Sequence, residues 1–125
     1  MDEKSPEQNI ATHLSRASKN SPDQLAIISA KKGAFDPRSF KELHQDVKDC
    51  AAYLQFHGIS KGDHVLHGVK PGFQLILISF SLFFLGAIPI IIYPCMGLKA
   101  FLKFIKNTQP SGLIGVSLIH PIGKF

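Results

Sequence analysis

An uncharged stretch in the middle of the chain limits the folds that this sequence can adopt. From Pro71 to Leu98 the sequence contains no Asp, Glu, Lys or Arg. A stretch of this length is typical either of a transmembrane helix or of two consecutive buried elements. The segment Gly86–Pro89 favours two elements, because it divides the stretch into runs of ordinary helix and strand length. We therefore predict a buried helix and a buried strand, with membrane insertion through residues 73–94 as the alternative.

The spacing of apolar residues predicts helices and strands in alternation. Asn9 is a candidate cap for the first helix, and Ser39 with Glu42 has the form of a capping box for the second. The predicted helices cover residues 10–19, 40–57, 73–85 and 98–108, and the predicted strands cover residues 25–29, 64–69, 88–93 and 113–116. Apolar strands that alternate with helices indicate an α/β fold with mostly parallel strands.

The length and composition indicate one ordered domain. The chain has 125 residues, of which 45% are hydrophobic, so it is long enough to bury a core and too apolar to be intrinsically disordered. We expect a flexible N-terminus over residues 1–8, a domain over residues 9–120 and a tail over residues 121–125.

The charges of the chain indicate which binding partners to expect, and its cysteines indicate the cell compartment. The net charge is +5, but the basic residues are dispersed, so we predict no nucleic-acid binding. A stripe of Lys99, Lys103 and Lys106 is either a solvated helix face, which we favour, or a surface for anionic lipid. The start of the chain lacks the pattern of a signal peptide, and two distant cysteines, Cys50 and Cys95, fit reduced thiols in the cytoplasm.

No residue pattern in the sequence specifies a catalytic or metal site. His64 and His67 are three residues apart on a predicted strand, so they point to opposite faces and cannot share a metal ion. Asp46 and Asp49 are better explained by a solvated helix face than by a catalytic pair. The sequence also has no Walker loop, dinucleotide-binding motif or nucleophile elbow. We therefore predict no catalytic, cofactor-binding or metal-binding residue.

Seven short segments occur in a characteristic order along the chain: residues 9–11, 21–27, 39–43, 51–54, 58–65, 85–89 and 109–115. Together they resemble the adenylate-forming enzymes, a superfamily of acyl-CoA synthetases, fatty acid–AMP ligases and adenylation domains of peptide synthetases. The resemblance covers about residues 9–120 and implies the first part of the large N-terminal domain of such an enzyme.

Further details resemble one branch, the β-lactone synthetases of olefin biosynthesis and related acyl-AMP ligases. These details are residues 69–72, residues 94–99, and Ile114-Gly115 with His120. The chain departs from the branch at Tyr93 and Cys95, where an Asp and a Gly are typical. A cysteine strains the backbone if that turn needs a positive φ.

The resemblance implies an ATP-dependent ligase that uses Mg²⁺, but its enzymes are several times longer. Their phosphate loop, magnesium motif and C-terminal lysine have no counterpart before Phe125. We therefore expect a fragment that is inactive alone and binds neither ATP nor Mg²⁺ alone. Its expected partner is the missing part of the enzyme or another copy of itself. The alternatives are a membrane-associated protein, which we disfavour, and one half of a split enzyme that acts as an interaction module.

Overall fold

Helices and strands alternate along the chain, with one exception near the N-terminus. The computed structural model describes residues 9–69, 72–92 and 97–115. The predicted order is confirmed for the helices and for the parallel strands. The helices are α1 (Ala11–Asn20), α2 (Phe40–Phe56), α3 (Phe73–Leu85) and α4 (Leu98–Thr108), and the strands are β1 (Leu25–Lys31), β2 (Ala34–Ser39), β3 (His64–Gly68), β4 (Ile88–Ile91) and β5 (Gly112–Gly115).

The centre of the fold is a three-stranded parallel sheet in the order β4-β3-β5. Neighbouring residues of β3 point to opposite faces, so they belong to different cores. Val65 packs with Leu54 and Leu82 on the side of α2 and α3. Leu66 packs with Phe101 of α4 and with Ile92 and Leu113 on the other side. Helices therefore cover both faces of the sheet, as in other α/β folds.

The uncharged stretch bends between α3 and β4, as predicted. Gly86 has φ +79°, a left-handed conformation that ends the helix. The amide of Ala87 then donates a 3.0 Å hydrogen bond to the carbonyl oxygen of Leu82. No helix in the described ranges is both long and apolar enough to cross a bilayer.

The first strand forms an antiparallel hairpin that the sequence analysis did not predict. Lys31 of β1 pairs with Ala34 of β2, and the two residues between them, Lys32 and Gly33, have φ +52° and +81°. Positive φ at both positions is the pattern of a type I′ hairpin turn. The strand predicted over residues 25–29 is therefore not one of the parallel strands, because β1 and β2 form their own two-stranded sheet.

Three side chains make hydrogen bonds at the starts of α1 and α2. The Asn9 carboxamide oxygen accepts a hydrogen bond from the amide of Ala11, and its nitrogen donates to the carbonyl oxygen of Phe83 at 2.8 Å. The N-cap position of α1 is Ile10 rather than the predicted Asn9, but the Asn9 side chain still bonds to the first residue of α1 and ties it to the last turn of α3. The capping box of Ser39 and Glu42 is confirmed in both directions, at 3.1 and 2.9 Å.

Some predicted boundaries shift by one or two residues. The predicted strand over residues 64–69 ends at Gly68, and the strand predicted from residue 113 begins at Gly112. The strand predicted over residues 88–93 ends at Ile91. Residues 1–8 and 121–125, together with Tyr93, Cys95 and Val116, lie outside the described residues.

Candidate functional site

The strand order defines one edge of the sheet as the first candidate site. The connection through α3 leads from β3 to β4, whereas the connection through α4 returns past β3 to β5 on its other side. In open α/β sheets, ligands bind beyond the carboxyl ends of the strands where the order reverses in this way. Here that position lies between β3 and β5, whose last residues, Gly68 and Gly115, are paired.

His67 is the polar side chain nearest in sequence to this edge. Its side chain is fully buried, and its Nε2 lies 3.3 Å from the carbonyl oxygen of Leu75 in the first turn of α3. Its Nδ1 is buried and has no hydrogen-bond partner within the described part of the chain. Burial lowers the pKa of His67, and the contact with Leu75 opposes this effect. Burial therefore favours the neutral form of the ring.

The two strand histidines are separated, as their spacing predicts. His64 is exposed at the start of β3, whereas His67 is buried three residues later. Within residues 9–69, 72–92 and 97–115, no group of three or more His, Cys, Asp or Glu residues is placed to hold a metal ion. The chain also has no Asp or Glu after Asp63, so the segments that follow β3, β4 and β5 contribute no carboxylate to this edge.

An apolar cavity is the second candidate site. It has a volume of about 340 Å³, which is at the small end of the range for ligand pockets. It lies between α1, β1, α2 and α3, and His13 is its only ionisable side chain. The other lining residues are Ile10, Leu14, Ala17, Ala26, Ile27, Phe40, Leu43, Ile76 and Phe80. Without a nucleophile or a paired acid and base, this cavity can accommodate an apolar group but has no groups for catalysis.

The two aspartates of α2 each contact a polar side chain. Asp49 is exposed and accepts a 2.9 Å hydrogen bond from the carboxamide of Gln45, as expected for a solvated face. Asp46 differs from that expectation, because it is half-buried and lies 3.4 Å from the guanidinium of Arg38. The guanidinium carbon of Arg38 also lies 5.2 Å from the centre of the Phe73 ring. Arg38 thus links β2 to α2 and α3, a role that the sequence analysis missed because β2 was not predicted.

His44, the histidine on α2, contacts α1 and has a lowered pKa. The Nδ1 of His44 lies 3.2 Å from the hydroxyl oxygen of Ser18 on α1. The pKa of His44 is lowered, first by burial and then by the positive charges of Lys48 and Lys19. This contact joins α1 to α2.

Comparison with known proteins assigns this arrangement to a family. A profile of the AMP-binding enzymes matches residues 14–122, which is most of the chain. The chain belongs to the AMP-binding enzyme family. This result confirms the resemblance to the N-terminal portion of adenylate-forming enzymes that the sequence motifs indicated.

The curated relatives of this family member include two olefin β-lactone synthetases. The chain is 33% identical over 117 residues to an olefin β-lactone synthetase of Xanthomonas campestris, covering 88% of this chain and 21% of that protein. It is 30% identical over 120 residues to the olefin β-lactone synthetase of Stenotrophomonas maltophilia, covering 90% and 22%. The chain therefore spans about a fifth of the length of the curated relatives it matches.

Solved structures of the family show the same fold. A fatty acid AMP ligase from Legionella pneumophila superposes with a TM-score of 0.76 at 25% identity, covering 88% of this chain and 20% of that one. The N-terminal subdomain of NpsA from Klebsiella oxytoca superposes with a TM-score of 0.77 at 20% identity, covering 86% and 27%. The α/β architecture with a parallel sheet is thus confirmed.

The family implies ATP and Mg²⁺, but the described residues do not fit them. The described ranges hold no metal-binding cluster, and the sequence contains no glycine-rich phosphate loop of the Walker type. No step that involves ATP or Mg²⁺ is therefore assigned to residues of this chain. That the chain alone binds neither, and that it has no catalytic residue, both stay predictions.

Proposed function

We propose that this chain is the N-terminal scaffold of an ATP-dependent acyl-activating ligase. The match of residues 14–122 to the AMP-binding family is the single observation that carries the proposal. The parallel sheet β4-β3-β5, covered on both faces, supports it because this part of the fold is shared with a fatty acid AMP ligase. In this role the chain supports the active site and does not perform the chemistry.

The proposed reaction of the whole enzyme is the activation of a carboxylic acid. A carboxylate oxygen attacks the α-phosphorus of ATP, the bond to pyrophosphate breaks, and an acyl adenylate forms. We propose a fatty acyl substrate, because the relatives include olefin β-lactone synthetases and a fatty acid AMP ligase. We also place the enzyme in the cytoplasm, where the thiol of Cys50 stays reduced.

A chimeric enzyme tests the scaffold role directly. Residues 9–120 would replace the matching segment of the Xanthomonas campestris olefin β-lactone synthetase, and ATP–pyrophosphate exchange would be measured with fatty acids, β-hydroxy acids and salicylate. We expect the chimera to keep exchange with the fatty substrates to within about tenfold, a difference of ~1.4 kcal/mol in the barrier. A chimera that is folded by circular dichroism but shows no exchange would contradict the proposal.

Two controls accompany the chimera. A chimera that also carries Leu66→Asp places a carboxylate in the core beside Phe101, so it should lose both folding and exchange. The 125-residue chain by itself should show no exchange above background. Exchange by the isolated chain would show that our expectation of inactivity is wrong.

A second candidate function is an interaction module that forms one half of a split enzyme. The observation that favours it is an apolar face on the β1–β2 hairpin, where Ile28 is 57% exposed and Phe35 is 81% exposed. Exposed apolar patches often mark surfaces that bind another protein. Co-expression with the remaining part of a relative, followed by purification through a tag on one half, tests this function. Phe35→Ser should reduce the recovered complex, whereas exposed Tyr53→Ser on α2 should not.

A further inference from the structure

The net positive charge of the protein is confined to the second half of the chain. All nine acidic residues lie at or before Asp63, together with nine basic residues, so residues 64–125 carry the whole net charge of +5. Three of the five lysines in this half, Lys99, Lys103 and Lys106, lie on α4. The positive charge is thus concentrated on one helix.

The exposed side of α4 combines these lysines with leucines. Phe101 is buried against the sheet, whereas Leu98 and Leu102, one turn apart, are 72% and 54% exposed. The three lysines form an adjacent stripe at helical spacing, and all three side chains are exposed. Within the described part of the chain, their ammonium groups have no ion-pair partner.

We propose that α4 docks on the surface of an anionic lipid bilayer, with the Leu98 and Leu102 side chains entering the headgroup region and the lysines contacting lipid phosphates. Leucine beside lysine is the composition of helices that lie in a membrane interface. Lysine is depleted at protein–protein interfaces, where aromatic residues and arginine dominate. The exposed side of α4 has neither aromatic residues nor arginine, so a bilayer fits it better than an acidic protein does.

Vesicle binding of the 125-residue protein tests the proposal. The probes are vesicles of phosphatidylcholine alone and vesicles in which about one third of the lipid is phosphatidylserine. We expect binding to the anionic vesicles only. Raising the salt from about 0.1 M to about 1 M should abolish the binding, because the Debye length falls from about 10 Å to 3 Å.

Matched variants test whether α4 is the surface that binds the vesicles. The triple variant Lys99→Gln, Lys103→Gln, Lys106→Gln should bind anionic vesicles about 100-fold more weakly, since each lysine contributes a factor of about five. The control Lys19→Gln, Lys41→Gln, Lys48→Gln removes the same charge from α1 and α2 and should bind within about threefold of the unmodified protein. A second variant, Leu98→Ser with Leu102→Ser, should also bind more weakly. Circular dichroism verifies that each variant is folded.

The other outcomes overturn the proposal. Equal losses in the α4 variant and its control would mean that the overall charge, not α4, drives binding. Equal binding to both kinds of vesicle would mean that the lysines have no role. Binding to polyglutamate without binding to vesicles would identify an acidic protein as the partner. None of these results depends on adenylation activity, so the chimera and the vesicle assays can fail separately.

Discussion

The Nε2 of His67 lies 3.3 Å from the carbonyl oxygen of Leu75, and this contact holds the centre of the sheet against the first turn of α3. The ring is fully buried, and its Nδ1 has no partner among the described residues. A buried, partly satisfied imidazole is costly to protonate, because the added charge would be desolvated. The stability of the fold should therefore depend on pH.

We expect the free energy of unfolding to fall as the pH decreases below about 6.5. Burial lowers the pKa of His67 from its ordinary value of 6.5, so the unfolded chain takes up a proton at a higher pH than the folded chain does. The linked stability is complete above pH 6.5 and is lost as the pH falls through 6.5 toward the lowered pKa. His44 has a shift of the same direction and contributes with the same sign.

His67→Leu should reduce this pH dependence. The variant removes the buried Nδ1 and leaves an apolar side chain of similar size, so it should resist urea better than the unmodified chain at pH 5. Urea denaturation between pH 5 and pH 8 measures the effect, with exposed His64→Gln on the same strand as the control. An unchanged pH profile in His67→Leu would show that His67 is not the titrating group.

Gly86→Ala should destabilise the bend between α3 and β4. The left-handed backbone of Gly86 costs an L-residue about 1–2 kcal/mol. A Cβ there would also lie 2.9 Å from Cγ of Lys61. Gly33→Ala is a matched control, since Gly33 has φ +81° with no atom within 4 Å of the added Cβ. Gly86→Ala should therefore lose more stability than Gly33→Ala in urea denaturation.

A variant of Lys61 distinguishes the two causes of the extra loss at Gly86, which are the contact with Lys61 and the strain of the backbone. If the contact with Lys61 explains the extra loss, Lys61→Ala combined with Gly86→Ala should bring the loss close to that of Gly33→Ala. An extra loss that persists in the double variant would point to the backbone at position 86 instead.

Ser39→Ala should weaken the start of α2. The hydroxyl oxygen of Ser39 accepts the hydrogen bond of the Glu42 amide at 3.1 Å, and removal of such a cap costs about 1 kcal/mol. Exposed Gln55→Ala near the other end of α2 is the control and should change the free energy of unfolding by less than about 0.5 kcal/mol. Similar losses in the two variants would mean that the cap contributes little.

Leu66→Ala should destabilise the protein by about 2–5 kcal/mol, the usual cost of a cavity in a tight core. Leu66 has no exposed surface and packs with Ile92, Phe101 and Leu113. Leu98→Ala on exposed α4 is the matched control and should be nearly neutral. Thermal unfolding measures both, and a small loss for Leu66→Ala would mean that the α4 face of the sheet is loosely packed.

The elements that the sequence predicted well have strong local signals. The capping box before Phe40 and the glycine after Leu85 mark helix ends through backbone hydrogen bonds, which depend on a few neighbouring residues. The boundaries of α3 and α4 follow the apolar pattern directly. Family membership was also predictable, because several short motifs occur in the expected order.

The hairpin was harder to predict because its signals are atypical. Its turn contains Lys32 and Gly33 instead of the usual Asn-Gly or Asp-Gly, and Pro37 within β2 argues against a strand. The proline is tolerated because β2 pairs only with β1 among the described strands. The link from Arg38 to Asp46 and Phe73 depends on this hairpin, so it could not be predicted without it.

The placement of β3 determines how the sheet can be extended. β3 is already flanked on both sides, so any further strand would join at the outer side of β4 or of β5. Growth in either direction leaves His67 and Leu66 in the middle of the sheet. β3 therefore keeps its interior position in the sheet, whichever edge a further strand would join.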